Sequence, residues 1–384
     1  MIPPRLHAFL DAASVAALVA APAVLKCSPA TTRTLRATAL GLAAYSLATR
    51  YDGTRTVALN LNEHRVLDAA QGIAFCIASM TQSSPALRTA MGGYGVLCLG
   101  AAAFAAPVAA TGVALSSNAL TGVIVRGVTE VAADLAYLRT GIVNVAFIGH
   151  PDHGDWVLVD AGLPGYAPAI HSAAARRFGG RPPAAILLTH AHFDHVGGLQ
   201  TLVDHWDVPV FIHPEERPHL DGAASYLPAA PEVGGGMMAT LSPLFPRGPV
   251  GLHARIFDLP ADGQIPVLPD WRWLHTPGHT SGHVSFWKES SRLLVAGDAF
   301  TTTQQESAMD AVTLRPELHG PPAYFTTDWH AAKTSVGRLA ALQPDIVVTG
   351  HGQAGAGRRF REALHELASQ FERTALPKTS RYLD

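Results

Sequence analysis

Cysteine is scarce in this chain. Cys27, Cys76 and Cys98 are the only three, and all precede residue 100. No two stand at CxxC spacing, so the sequence carries neither a disulfide framework nor a thiolate metal knuckle. A metal held later in the chain must be held by nitrogen and oxygen. Charge is scarce too, at 15% of residues against the usual quarter. The formal net charge is −2, which leaves no basic footprint for nucleic acid. The shortage of charge is uneven. Met1 to about Val125 is rich in Ala, Leu, Val and Gly, whereas the composition from about Arg126 onward is that of an ordinary soluble enzyme. A chain of 384 residues is long enough for about two domains, and this shift divides it into residues 1–125 and 126–384.

The first part holds four apolar segments, about Ala8–Leu25, Leu35–Thr49, Val66–Met80 and Met91–Leu115. A membrane-spanning helix needs about 20 mostly apolar residues. The first and last segments meet that length; the middle two need their Ala-rich flanks. The segments repeat. His7-Ala8-Phe9-Leu10-Asp11-Ala12-Ala13 matches His64-Arg65-Val66-Leu67-Asp68-Ala69-Ala70, and Ser28-Pro29-Ala30 matches Ser84-Pro85-Ala86. The pattern predicts two duplicated helical hairpins, an all-α four-helix domain embedded in a lipid bilayer as a multi-pass unit. A soluble Ala-rich bundle is one alternative. A signal peptide ending near Ala21-Pro22-Ala23 is another, though cleavage there would remove half of a duplicated unit. Five basic residues flank one side of four spans and four the other, too small a difference to orient them firmly; the reading leans to a cytoplasmic enzyme domain. His7/Asp11 and His64/Asp68 are i, i+4 pairs that each share a helix face. They read first as capping or interfacial pairs, with a polar site between the hairpins as the alternative.

The second part changes to short strands and turns. Asn144–Ile148 and Trp156–Val159 read as strands, Ala167–Phe178 as a helix, and Ala184–Leu188 as the strand that delivers His190. Gly198–Trp206 reads as helix, Val208–Ile212 as strand, and Pro214–Pro249 as a proline- and glycine-rich loop or lid. Strands resume at Trp271–Leu274, Val284–Trp287, Leu293–Val295 and Ile346–Val348, with helices at Ala331–Leu342 and Arg358–Arg373. Mixed strands and helices with polar residues at strand ends predict an α/β layered sandwich.

The chemistry sits at those strand ends. His190-Ala191-His192-Phe193-Asp194-His195 places three imidazoles and a carboxylate within six residues, directly after an apolar run. Packing does not explain that pattern, and imidazole with carboxylate suits a borderline divalent ion. His279 in Thr276-Pro277-Gly278-His279, Asp298 in Gly297-Asp298 and His351 in Gly350-His351-Gly352 each follow another strand. The ligands should converge at one edge of the sandwich.

With Asp160 in Leu158-Val159-Asp160-Ala161-Gly162, these residues make the chain from about Val128 resemble the metallo-β-lactamase fold hydrolases. The resemblance implies a four-layer αβ/βα sandwich with a binuclear site. By position, His190, His192 and His279 would hold one ion, Asp194, His195 and His351 the second, and Asp298 would bridge them. Asp160 would orient a ligand, and Asp194 would orient the nucleophile or shuttle a proton. The cofactors implied are two divalent ions, zinc first, with iron or manganese as alternatives. His275 and His283 match no ligand position and read as structural or pocket-lining; His205, His253 and His365 read as surface or structural. Tyr324 could donate a hydrogen bond into the site or pack beneath the lid.

Asp298 stands where antibiotic-destroying metallo-β-lactamases commonly have cysteine, which argues against antibiotic hydrolysis. The all-oxygen-and-nitrogen set resembles the branch of thioesterases and lactonases. The stretches Gln304–Ser307 and Pro321–Trp329 resemble a subgroup of uncharacterised bacterial hydrolases. The expected activity is hydrolysis of a small-molecule ester, thioester or lactone at a membrane. Two alternatives stand beside it: a mononuclear iron enzyme that oxidises a persulfide, and a metal-domain sensor coupled to the helices. The first four helices loosely resemble the SPW type of repeated membrane hairpin, sharing its Ser-Pro and lacking its Trp. The sequence names neither the substrate nor the oligomeric state.

Overall fold

The computed structural model describes residues 3–50, 59–82, 84–104, 112–125, 127–248 and 250–383. It divides into two compact units. One comprises Met1–Ala109 with Gly234–Thr240 and Ser307–Met309; the other comprises Ala110–Val233, Leu241–Glu306 and Asp310–Asp384. The division falls earlier than the composition shift near residue 125. Val113–Ala114 and Val123–Val125 are strands that pair with Glu317–Leu318 and Val128–Ala132 of the second unit. Apolar composition alone did not separate these strand residues from the helix before them.

The first unit contains α1 (Pro4–Val24), α2 (Pro29–Leu47), α3 (Leu61–Met80) and α4 (Pro85–Phe104). The repeated Ser-Pro starts the second helix of each hairpin. Ser28 Oγ accepts from Thr31 N–H and Ser84 Oγ from Leu87 N–H, with proline at the first helical position, where no N–H is needed. α3 and α4 approach closely at Gly72 and Gly95, where a Cβ on either would press on the other's carbonyl oxygen. Small residues permit such contacts. The sequence reading carried the fourth segment to Leu115. The helix stops at Phe104, and residues 105–111 lie outside the described residues. Among the described residues, one helix is long and apolar enough to cross a membrane, α1 over Leu6–Val24. The expectation of four such spans is narrowed accordingly: Arg33, Arg36, Glu63, Arg65 and Asp68 interrupt α2 and α3, and four glycines dilute α4.

The second unit is an α/β sandwich. One sheet has eight strands in the order Ile256–Asp258, Val210–Ile212, Ala185–Leu187, Val157–Val159, Val143–Ile148, Leu135–Thr140, Val128–Ala132, Val123–Val125. The other has five, in the order Arg272–His275, Val284–Lys288, Leu293–Gly297, Ile346–Thr349, Gly355–Ala356. Strand residues point alternately to opposite faces, and here alternate residues fill different cores. Val145, Phe147, Leu158 and Ile186 pack outward with Ile170, Phe178 and Leu202 of flanking helices. Ala146, Ile148, Val157, Val159 and Leu187 face Phe286, Val295 and Val348 of the second sheet. Leu294, Ala296 and Val347 pack on Val336, Leu339, Phe360 and Leu364 of the helices beyond. Three cores between four layers give helix, sheet, sheet, helix. The segment expected as a loop or lid holds short helices at Arg217–Leu220 and Met237–Leu241; Pro249 lies outside the described residues.

Candidate metal centre

The site grows from one edge of this sandwich. Val157–Val159 and Ala185–Leu187 run parallel with Val159 opposite Leu187, so both chains leave the sheet side by side. Asp160 takes a left-handed backbone conformation, φ 62°, which turns the chain sharply. Its Oδ1 accepts from Thr189 N–H at 2.8 Å and its Oδ2 meets His195 Nδ1 at 2.9 Å. His190 follows Thr189, His192 caps the short helix Phe193–Val196, and Asp194 and His195 lie within that helix. The second sheet contributes His279 beyond Arg272–His275, Asp298 directly after Leu293–Gly297, and His351 after Ile346–Thr349.

These side chains meet. His190, His192 and His279 form one compact triplet, Asp194, His195 and His351 another, and Asp298 joins His190 and His195 in a third. Asp298 Oδ2 lies 3.5 Å from His195 Nε2, 3.6 Å from His279 Nε2 and 3.1 Å from His351 Nε2. Asp194 Oδ2 lies 3.9 Å from His195 Nε2 and 3.5 Å from His351 Nε2. All seven residues are buried.

The donor set fits divalent cations. His190 Nε2, His195 Nε2 and Asp298 Oδ1 are buried without a hydrogen-bond partner among the described residues. Leaving such atoms unsatisfied is costly, and a cation between them removes the cost. The tautomers agree. His351 Nδ1–H donates to the Ile142 carbonyl at 2.8 Å, leaving Nε2 facing Asp298. Thr326 donates its hydroxyl proton to the Pro322 carbonyl, so its oxygen accepts from His279 Nδ1–H. That orients the His279 Nε2 lone pair inward. Partners of this kind fix a ligating imidazole.

Electrostatics of the metal-free centre point the same way. Burial lowers the basicity of His190 and His192 well below that of an ordinary imidazole, and neighbouring imidazoles add to it. Burial also pulls His279 down to about 4, against the opposing charge of Asp298. At His195 burial works against the cation, but Asp298, Asp160 and Asp194 together outweigh it and hold the ring well above its usual range. At Asp298 burial is outweighed by His351 and His195, which keep the carboxylate ionised. His190, His192 and His279 are thus held as neutral imidazoles, the state that metal binding requires, whereas the carboxylates of Asp298 and its neighbours favour a proton on His195 and His351 that a cation would displace.

Several residues outside the predicted set support the centre. Glu216 is fully buried, and its carboxylate accepts from Ala191 N–H at 3.1 Å, from Gly282 N–H at 3.0 Å and from the Tyr226 hydroxyl. It ties the His190–His195 segment to the turn carrying His279. No spacing in the sequence singled it out from other glutamates. His283, expected to be structural, accepts from Asp298 N–H at 2.9 Å and donates Nδ1–H to the Thr276 carbonyl. His275 stacks on His213 and bonds to the Ser281 carbonyl, away from the seven. His205, His253 and His365 are exposed. Tyr324 is buried, with its ring against Phe245 and Phe325. Burial and the charges of Asp194, Glu306 and Asp298 keep its phenol protonated. Phe325 stacks on His192 at 4.8 Å, and Phe245 reaches Phe193, so an aromatic wall stands beside the centre.

Known proteins are similar to this chain in sequence. The metallo-beta-lactamase superfamily model matches residues 138–351. The probable metallo-hydrolase YflN of Bacillus subtilis is 46% identical over 243 residues, 63% of this chain and 92% of that protein. The probable metallo-hydrolase YybB of the same organism is 29% identical over 203 residues, 53% of this chain and 78% of that protein. Among solved structures, the BLEG-1 B3 metallo-beta-lactamase aligns with a TM-score of 0.40 and 24% identity, over 56% of this chain and 88% of that one.

Proposed function

The chain belongs to the metallo-beta-lactamase superfamily, and on that premise we propose that it hydrolyses an ester, thioester or lactone with a hydrophobic acyl part, at a membrane. The observation that carries the reading is the convergence of His190, His192, Asp194, His195, His279, Asp298 and His351 at one buried edge. His190, His192 and His279 would hold one divalent ion, Asp194, His195 and His351 a second, and Asp298 both. Zinc suits the nitrogen and oxygen donors. Such ions polarise a carbonyl oxygen and bring the pKa of a coordinated water toward about 7.

The chain's own groups do the rest. Asp160, Glu216, Thr326 and Ile142 hold ligating groups in register through the hydrogen bonds given above. Asp194 is the least buried of the seven, and its carboxylate can carry a proton between the nucleophile and the leaving group. Tyr324 keeps its proton and can donate it in a hydrogen bond to a substrate oxygen. Phe193, Phe245 and Phe325 supply an apolar surface for an acyl chain and exclude water beside the centre.

The membrane part of the proposal rests on the first unit. Phe9, Leu40, Leu47, Ile77, Met80 and Val96 are exposed, whereas His7, Asp11, His64 and Asp68 are buried. Beside a small apolar core of Leu18, Leu35, Leu42, Phe75 and Met91, the unit thus buries four ionisable groups and turns large apolar side chains outward, a combination that suits a lipid-facing bundle.

Purified full-length chain tests the activity. Plasma emission should find two divalent ions at the centre, and a panel of p-nitrophenyl esters, acyl thioesters and lactones should include substrates that turn over. Replacing His192 and Asp298 together by alanine should abolish turnover and lower the ion count by two. A single iron with oxygen uptake on a persulfide would favour the dioxygenase instead. A metal-replete chain inert to the whole panel would reject the substrate class.

A further inference from the structure

Four buried side chains in the helical unit are arranged as a second ligand set. His7 and Asp11 lie one turn apart on α1, and His64 and Asp68 occupy the equivalent turn of α3. The sequence reading favoured capping or interfacial pairs; the structure buries all four and turns them toward one another. The closest contacts cross between the copies. His7 Nε2 lies 2.8 Å from Asp68 Oδ2 and 3.8 Å from Asp11 Oδ1. His64 Nε2 lies 3.1 Å from Asp11 Oδ2 and 3.3 Å from Asp68 Oδ2. A tetrahedral ion with arms of about 2.0–2.1 Å sets its ligand atoms about 3.3 Å apart. One ligand atom from each of the four residues lies within 4.8 Å of the other three, and the His–Asp contacts of 2.8–3.8 Å fall about that value.

Neighbouring groups orient the set. Thr49 donates its hydroxyl proton to the Tyr45 carbonyl at 2.6 Å, so its oxygen accepts from His64 Nδ1–H at 2.7 Å. A neutral His64 therefore directs its Nε2 lone pair at the two carboxylates. Tyr45 donates its phenolic proton to Asp68 Oδ1 at 2.9 Å, which leaves Oδ2 facing both imidazoles. These are the outer partners that hold a metal ligand in place. Two imidazoles with two carboxylates match a divalent ion in charge, and facing helices are a common origin of bundle metal sites.

We propose that His7, Asp11, His64 and Asp68 form a second metal site, binding one divalent transition ion such as zinc or manganese and joining the two repeated hairpins. The site shares no residue with the proposed hydrolytic centre, so either can fail without the other. The test uses full-length chain in detergent, stripped with chelator, reloaded with zinc and counted by plasma emission. A chain carrying Asp11→Asn and Asp68→Asn should bind one equivalent fewer than the unchanged chain. Cobalt(II) is then added to a chain with the hydrolytic ligands His192 and Asp298 replaced by alanine. It should show the intense visible absorption of four-coordinate cobalt, and that band should vanish when His64→Gln is added. The cobalt spectrum of the otherwise unchanged helices decides the matter even where the asparagine variant fails to fold. Equal zinc counts in a folded asparagine variant, or no four-coordinate cobalt band, would overturn the proposal and leave a histidine–aspartate ion-pair network.

Discussion

At the scale of single residues, the centre depends on groups that touch no substrate. Glu216 joins two ligand-bearing segments through Ala191 N–H and Gly282 N–H. Glu216→Gln keeps the size but replaces one acceptor oxygen with a donor, which leaves one of those N–H groups facing another. Partners beyond the ligands typically set metal affinity by about 10–100-fold. Competition against a fluorescent chelator should show a loss in that range, with the melting curve little changed; unchanged affinity would mean that the carboxylate serves packing alone. Asp160→Asn acts directly on one ligand, His195, and only through the Thr189 hydroxyl on His190. Asp160 Oδ2 meets His195 Nδ1, so the change should weaken the ion held by His195 more than the one held by His190, His192 and His279. Metal counts per chain during stepwise chelation check this, and equal loss at both positions would contradict it.

At the scale of elements, the site is a product of strand ends. Each apolar strand stops where a small residue lets the chain turn, and the ligand follows. Gly350 shows how little room remains: a Cβ there would overlap Asp298 Oδ1 and press on His195. Gly350→Ala should therefore cost most of the activity and bound metal while leaving the far-UV spectrum intact. Near-normal turnover would show that Asp298 can shift without penalty. The tail offers a pH test. Arg381 pairs through two nitrogens with Glu232, and that contact, against a small burial penalty, draws the Glu232 carboxyl down to about 2. A depressed pKa adds stability above the unfolded value of about 4.5, and that stability is lost as pH falls from there toward 2. The pair is partly exposed, so its worth is below ~1 kcal/mol. Arg381→Ala should lower the melting temperature slightly at pH 7 and by less at pH 3; equal shifts at both would assign the effect to packing.

At the scale of the whole molecule, what the sequence revealed follows from how each signal is encoded. The seven converging residues were legible because they gather just beyond the ends of four strands, a local pattern. The helix Ala167–Phe178 was legible for the same reason, its period being written in consecutive residues. Glu216 and the role of His283 were not legible, since each acts across up to 66 residues of chain that only the fold brings together. The boundary near residue 110 was hidden because Val113–Ala114 is as apolar as the helix before it. The convergence of the two His/Asp pairs was half legible: the repeat announced equivalence, but only packing of α1 against α3 brings the four groups together. That arrangement bears on where the protein resides. Burying two carboxylates and two imidazoles under a surface bearing Phe9, Leu40, Leu47, Ile77 and Met80 is unfavourable in water, where each exposed apolar side chain forgoes about 1.5–3 kcal/mol of burial. In lipid the same surface is satisfied and the polar groups belong inside. The full-length chain should therefore sediment with membranes, resist extraction by carbonate at high pH, and leave only with detergent. Release by carbonate alone would show that the helical unit meets its apolar surface some other way, and that α1 does not anchor it.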